Sequence, residues 1–301
     1  MRGSGPLRSG PLRSEARAAL LFIAPALAVL LLFFFLPVVA GFALSLTDFD
    51  LYTLGDLHNV RFVALANYAD VLKSGIFWTA LGNTLYFSLV GGPLTVAVSL
   101  AAALLVNAKA TRFKPLFRTV YFAPVVTTLV AVAIVFRFLY HPRFGALDRV
   151  LVHLGLPAID WLGDPRWAMP AIILLAVWKN FGYDMIIFIA GLQAIPEELY
   201  EAARIDGAGA WRQLRHVTLP MLGPTFLFVG IVTAIGYLQL FPEPYVMTYG
   251  GPLNRTLSAV MLMYVQGFRF WRMGFAAAVA FLLCLVITAA TALQMRFQER
   301  R

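Results

Sequence analysis

Six long runs of apolar residues, separated by links that carry most of the charge, set the pattern of this chain: roughly Ala18–Leu46, Thr79–Asn107, Leu116–Leu139, Trp167–Ala190, Leu219–Phe241 and Phe270–Met295. Within each run the apolar residues cover every face of a helix rather than one stripe. About 20 mostly apolar residues of helix cross a bilayer core about 30 Å thick, and every run reaches that length. Helices apolar all round also occur inside large soluble proteins, but six of them in 301 residues would have nothing to pack inside. The pattern predicts an all-α integral membrane protein with six transmembrane helices over residues 18–296.

The link between the fourth and fifth runs has a pattern of its own. Residues 201–220 read "EAARIDGAGAWRQLRHVTLP", more polar and more structured than a simple turn requires. Upstream, Pro196 suits a first helical position, and Glu197 and Glu198 put negative charge at the positive end of a helix dipole. Leu199, Ala202 and Ala203 give that helix a small apolar face, and Asp206-Gly207 ends it, because glycine readily takes the left-handed conformation. A second short helix, about Ala210–His216, carries Trp211 and Leu214 before Pro220 opens the fifth run. A helix–turn–helix knob over residues 196–217 is expected. Its alanines permit close approach by another protein surface, while an amphipathic linker resting on lipid headgroups fits the periodicity equally well.

Composition agrees with the membrane reading: 60% hydrophobic and 13% charged residues, where a soluble domain carries about 25% charged. Mean hydropathy is +0.78. A net charge of +9 raises the question of nucleic acid, so its distribution decides. Arg2, Arg8, Arg13 and Arg17, then Lys109, Arg112, Lys114 and Arg118, then Arg204, Arg212 and Arg215, and finally Arg296, Arg300 and Arg301 fall on one side by alternation, 14 in all against nine opposite. That bias puts both termini and the 201–220 link in the cytoplasm, and no single basic patch for nucleic acid is left. Residues 1–17, with the duplicated "SGPLRSGPLRS", read as a disordered basic cytoplasmic tail, and residues 297–301 as a second tail. The first apolar run is too long for the core of a cleaved signal peptide.

Catalytic chemistry has no visible machinery. The lone cysteine, Cys284, lies within the sixth run, and the four histidines fall in links or at run edges with no HExxH pattern. A Gly-rich phosphate loop is absent as well, so any energy for transport comes from an ion gradient or a partner. Polar residues inside the runs are therefore the candidates for function. The fourth run holds Lys179, Asn180, Tyr183 and Asp184 in "WKNFGYDM", and the fifth holds Tyr237 and Gln239 in "GYLQLF". Charges at mid-membrane normally face a bundle interior or a water-filled cavity. Asn180 and Asp184 share one helix face and Lys179 and Tyr183 another, with Lys179 and Asp184 about 140° apart. Lining of a pathway and polar contact between neighbouring helices both fit. Tyr264 and Gln266, close to the sixth run, are further candidates.

Letter by letter, Glu201-Ala-Ala-x-x-Asp206-Gly207-Ala208 followed by Leu219-Pro220 and Pro224 resembles the signature loop of ABC importer permeases. In that family the loop docks in a groove of the cytoplasmic ATPase, which implies coupling roles for Glu201, Ala202, Ala203, Asp206, Gly207, Ala208, Leu214 and Pro220. Leu214 stands where phenylalanine is usual and Val217 where isoleucine is usual, both conservative departures.

The resemblance runs from about Arg17 to Arg296 and points to the carbohydrate branch, similar to its maltose-permease-like half. It rests on "FFFLPVVAGFALSLTDFD", "NTLYF" with Pro93, "FRTVYFAPVV", "FIAGLQAIPEELYEAA" and the Thr-x-Gly-Gly-Pro-x-x-x-Thr stretch in "YVMTYGGPLNRT". The modest Thr47–Trp78 loop stands where such subunits can carry a large insert. Tyr237 and Gln239 align with polar positions that contact sugar in that half.

The resemblance implies a sugar or oligosaccharide importer in a bacterial or archaeal cytoplasmic membrane. Its parts would be a second homologous permease, two ATP-binding cassette subunits that hold ATP and magnesium, and a periplasmic or lipid-anchored sugar-binding protein. This chain would bind no cofactor and would not be an enzyme. A non-sugar solute such as glycerol phosphate is the alternative. An ion-coupled secondary transporter would need inverted repeats, which the sequence does not display.

Overall fold

A computed structural model describes residues 12–50, 53, 60–108 and 111–299. Most of the N-terminal tail and residues 300–301 lie outside the described residues. The first apolar run forms α1 (Leu12–Leu30), a π-helical turn (Leu31–Phe35) and α2 (Leu36–Ser45). Pro37 cannot donate a backbone hydrogen bond, and the wider turn before it absorbs that gap. This rod is hardly packed: Phe22 is 87% exposed and Phe33 73%. It meets the bundle at its far end, where the Phe42 ring lies 5.2 Å from Phe281.

A short helix, α3 (Ala66–Lys73), leads into α4 (Gly75–Asn107), which is 33 residues long and carries Pro93 inside. After a link come α5 (Lys114–Val126) and α6 (Leu129–Leu139). The sequence predicts one straight span over Leu116–Leu139; the two helices instead meet at a bend of 96°. Thr127 and Thr128 between them are extended, with ψ of 147° and 134°. Pro124 and the β-branched run Val125–Thr128 weaken the helix there. Among the described residues, five helices are thus long and apolar enough to cross a membrane on their own, and the bent pair, counted as one span, makes a sixth.

A small amphipathic helix, α7 (Ala146–His153), precedes α8 (Ala168–Gln193), the most buried span of the bundle. Its glycines set its distances. A Cβ on Gly182 would lie 2.0 Å from the Tyr121 carbonyl oxygen, and one on Gly191 would lie 2.5 Å from Thr225 Oγ1. Without those side chains the backbones approach closely, which is how helices pack in a membrane where lipid is as apolar as leucine.

The polar link folds into α9 (Glu197–Ile205) and α10 (Ala210–Gln213), continued by a π-helical turn (Leu214–Thr218) and α11 (Leu219–Met221). The long helix of the fifth span, α12 (Gly223–Leu238), starts just after Leu222 and therefore later than the sequence pattern puts it. It is followed by α13 (Pro242–Met247) and α14 (Ala259–Tyr264). Between these two, the Thr248 and Thr256 hydroxyls hydrogen-bond at 2.6 Å and close the Gly-Gly-Pro stretch. Asn83 Nδ2 holds that stretch to α4, donating to the carbonyls of Asn254 (2.7 Å) and Leu257 (2.9 Å). The last span is α15 (Met273–Glu299).

Candidate functional site

Near the middle of α8 a cavity of about 380 Å³ opens between α8, α12 and the bend of α5 and α6. Asn180, Tyr183 and Asp184 reach it from α8, and Tyr237 and Gln239 from the end of α12. Val125 and Leu129, on either side of the bend, add an apolar wall. Five of the eight candidates named from sequence therefore line one space.

The other three, Lys179, Tyr264 and Gln266, do not. Lys179 turns toward α5, where Nζ donates to the carbonyls of Pro124 (3.0 Å), Val125 (3.3 Å) and Thr127 (2.9 Å). Tyr183, expected on the Lys179 face, lines the cavity instead. Tyr264 sits in an aromatic cluster with its ring 5.3 Å from Phe241 and 5.4 Å from Tyr245.

The cavity walls differ in how far their polar groups are already satisfied. Asp184 is only 3% exposed, and its Oδ2 accepts a hydrogen bond from Thr233 Oγ1 at 3.0 Å. Tyr237 is buried, stacks on Phe87 with ring centroids 4.8 Å apart, and shares a 2.5 Å hydrogen bond with Thr95 Oγ1. Gly91 lies beneath its ring, and a Cβ there would come within 2.7 Å of Tyr237 Cε1. Tyr237 is thus a packed wall member, whereas Gln239 and Tyr183 are exposed to the space. An aromatic face, an amide and a carboxylate around one cavity suit a solute with C–H faces and many hydroxyls.

The helix pair at the far end of α8 is built around Gly207. Its φ is +73°, the left-handed region that glycine enters without strain. Gly207 N donates to the Arg204 carbonyl at 3.1 Å and Ala208 N to the Ala203 carbonyl at 2.8 Å, the two closing bonds of a Schellman cap. Gln213 Nε2 then donates to the Ala208 carbonyl at 2.8 Å, locking α10 against the turn. Tyr200 and Thr218 share a 3.0 Å hydroxyl contact that ties α9 to the base of the fifth span. Arg204 Nη2 lies 3.4 Å from Glu197 Oε1 and 3.8 Å from Glu201 Oε1, exposed pairs that add little stability. Ile205 (86% exposed) and Trp211 (71%) project from this otherwise polar knob, and Leu214 is half-buried. Two large apolar side chains held out on a rigid hydrogen-bonded frame are what a docking surface needs.

Residues 94–301 match the family of binding-protein-dependent transport system inner membrane components. This chain belongs to that family. The permease is 37% identical over 286 residues to the lactose transport system permease protein of Rhizobium radiobacter, covering 93% of this chain and 94% of that one. It is 33% identical over 285 residues to the arabinooligosaccharides transport system permease protein of Bacillus subtilis, covering 94% and 89%. In fold it resembles a chain of a bacterial alginate ABC transporter solved with an alginate pentasaccharide-bound periplasmic protein, with a TM-score of 0.81 at 21% identity and 96% of both chains covered.

Three features of the permease lie beyond its hydropathy pattern. Glu243, on α13, is buried and lines the cavity, although the fifth run stops at Phe241 when read as letters. The apolar Tyr245-Val246-Met247 after "PEP" is the signal that the chain stays within the bundle. Thr95 and Thr233 hold Tyr237 and Asp184, yet a threonine in an apolar helix looks the same whether or not it has such a partner. Gln213 has no signal at all, because its partner depends on how the turn at Gly207 folds.

Proposed function

We propose that this permease forms half of the translocation route of an ATP-driven importer for a sugar or oligosaccharide. The observation that carries the reading is similarity over nearly the whole chain to the lactose and arabinooligosaccharide permeases. The mid-membrane cavity supports it, with Asn180, Tyr183, Asp184, Tyr237 and Gln239 as the pathway residues. A second homologous permease supplies the other half and covers the bare first span. ATP and magnesium are held by two separate cassette subunits that seat α9 and α10, and a periplasmic or lipid-anchored binding protein delivers the solute at the opposite end.

A relative at 33% identity over 285 residues is the sn-glycerol-3-phosphate transport system permease protein of Agrobacterium fabrum. The cavity lining holds two acids, Asp184 and Glu243, and no lysine or arginine, which weighs against a phosphate-bearing solute here. Neutral sugar hydroxyls can donate to the same oxygens. Gln239→Ala is the cleanest test, since that amide faces the cavity and no hydrogen bond ties its side chain within the described residues. Loss of one hydrogen bond, about 1 kcal/mol, is expected to raise the half-saturating sugar concentration about fivefold with assembly unchanged. Wild-type uptake by this variant, or dissociation of the complex, counts against sugar contact.

The bias of 14 basic residues against nine supports a cytoplasmic placement of both termini and the helix pair. Single cysteines at Ser9 and Arg255, each in a Cys284→Ala background, test this in intact cells. A membrane-impermeant thiol reagent is expected to label the second and spare the first; labelling of both, or of Ser9→Cys alone, contradicts the orientation.

A further inference from the structure

We propose that Lys179 is a positioning residue: its ammonium acts as a built-in cation that closes the bend between α5 and α6 and thereby fixes one wall of the cavity. A helix end leaves its last carbonyls without partners, and in a bilayer core no water is at hand to satisfy them. At the bend those carbonyls belong to α5 and the extended residues after it. Lys179 Nζ takes up Pro124, Val125 and Thr127 at 3.0, 3.3 and 2.9 Å. Three ammonium protons meet three acceptors, at the end of α5 where the helix dipole is negative.

Unwound backbone carbonyls in a broken span are the groups with which ion-coupled transporters hold a sodium ion. Here a cation of the chain itself fills that position, so transport has no call for a coupling ion there.

The consequence reaches the cavity through two residues. Val125 and Leu129 flank the bend and line the space, while Lys179 itself does not. One turn along α8, Gly182 admits the Tyr121 backbone so closely that no Cβ fits. The fourth span thus grips α5 twice, by a charge at the bend and by bare backbone beside it. Lys179 shapes the route without touching the solute.

Spin labels at the exposed Val120 and Phe138, in the assembled complex with Cys284→Ala, read the bend directly. The wild-type distance should be short and narrowly distributed. In Lys179→Met the distribution is expected to broaden and lengthen, by up to about 9 Å if the two helices straighten fully. Lys179→Gln, which keeps two donors without the charge, should shift less and serves if the methionine variant does not assemble. In the same complex the half-saturating sugar concentration should rise at least tenfold for Lys179→Met, with co-purification of the ATPase intact.

An unchanged label distance overturns the tie, and a lengthened distance with wild-type uptake overturns the positioning role. The uptake arm rests on the sugar-import reading. Failure of the wild-type complex to transport sugar rejects that reading alone, because the label distance needs no solute.

Discussion

Gly207→Val is expected to leave the permease inserted and paired with its partner permease while cutting solute-stimulated ATP hydrolysis and uptake at least tenfold. A left-handed conformation costs an L-residue about 1–2 kcal/mol, and a β-branched one is a genuine outlier there. Gly207 sits at φ +73°, and a Cβ placed on it meets nothing within 4 Å of its own chain. The strain is therefore conformational. It is relieved by opening the bonds from Gly207 to Arg204 and from Ala208 to Ala203, which changes the angle between α9 and α10. Under the proposed function, a knob at the wrong angle would not carry motion from the ATPase into the spans. Gly207→Asn separates this from loss of docking space, since asparagine tolerates the left-handed region; it should keep most of the stimulation. Full stimulation in Gly207→Val would reduce the helix pair to a linker.

Gly182→Ala is the second large effect, and it acts on assembly rather than coupling. The added methyl would stand 2.0 Å from the Tyr121 carbonyl oxygen and 2.8 Å from its carbon, both backbone atoms that cannot swing aside. Overpacking of this kind costs about 1–3 kcal/mol and forces α5 away from α8. Gly230→Ala is the control, because a Cβ there meets nothing within 4 Å. The expected result is a lower fraction of assembled complex surviving mild heating for Gly182→Ala, with Gly230→Ala close to wild type. Equal survival of the two variants would show that the close approach of α5 to α8 is not needed.

The spans were legible because length and uniform apolarity are properties of letters. The first, second, fourth and sixth runs fall within a few residues of their helices. The helix pair was legible for a different reason: Pro196, Asp206-Gly207 and Pro220 act locally, through φ and missing N–H groups, so their meaning does not depend on distant neighbours. The bend in the third span escaped because hydropathy is blind to backbone direction. Pro124 and the β-branched residues after it were the available hint. The role of Lys179 escaped because its acceptors lie 52 to 55 residues earlier and exist as free acceptors only once the span has bent. Tyr237 shows the same limit: its partner Thr95 is 142 residues away, and burial decides whether a tyrosine serves as wall or as contact.

Solute uptake into proteoliposomes holding both permeases, the two ATPases and the loaded binding protein bears most directly on how this chain works. ATP is supplied on the side of the helix pair, and ionophores collapse every ion gradient. Sugar accumulation that depends on ATP, survives the ionophores and vanishes with Gly207→Val is the expected result. Accumulation that follows an imposed ion gradient and continues without ATP would contradict an ATP-driven permease coupled through this helix pair.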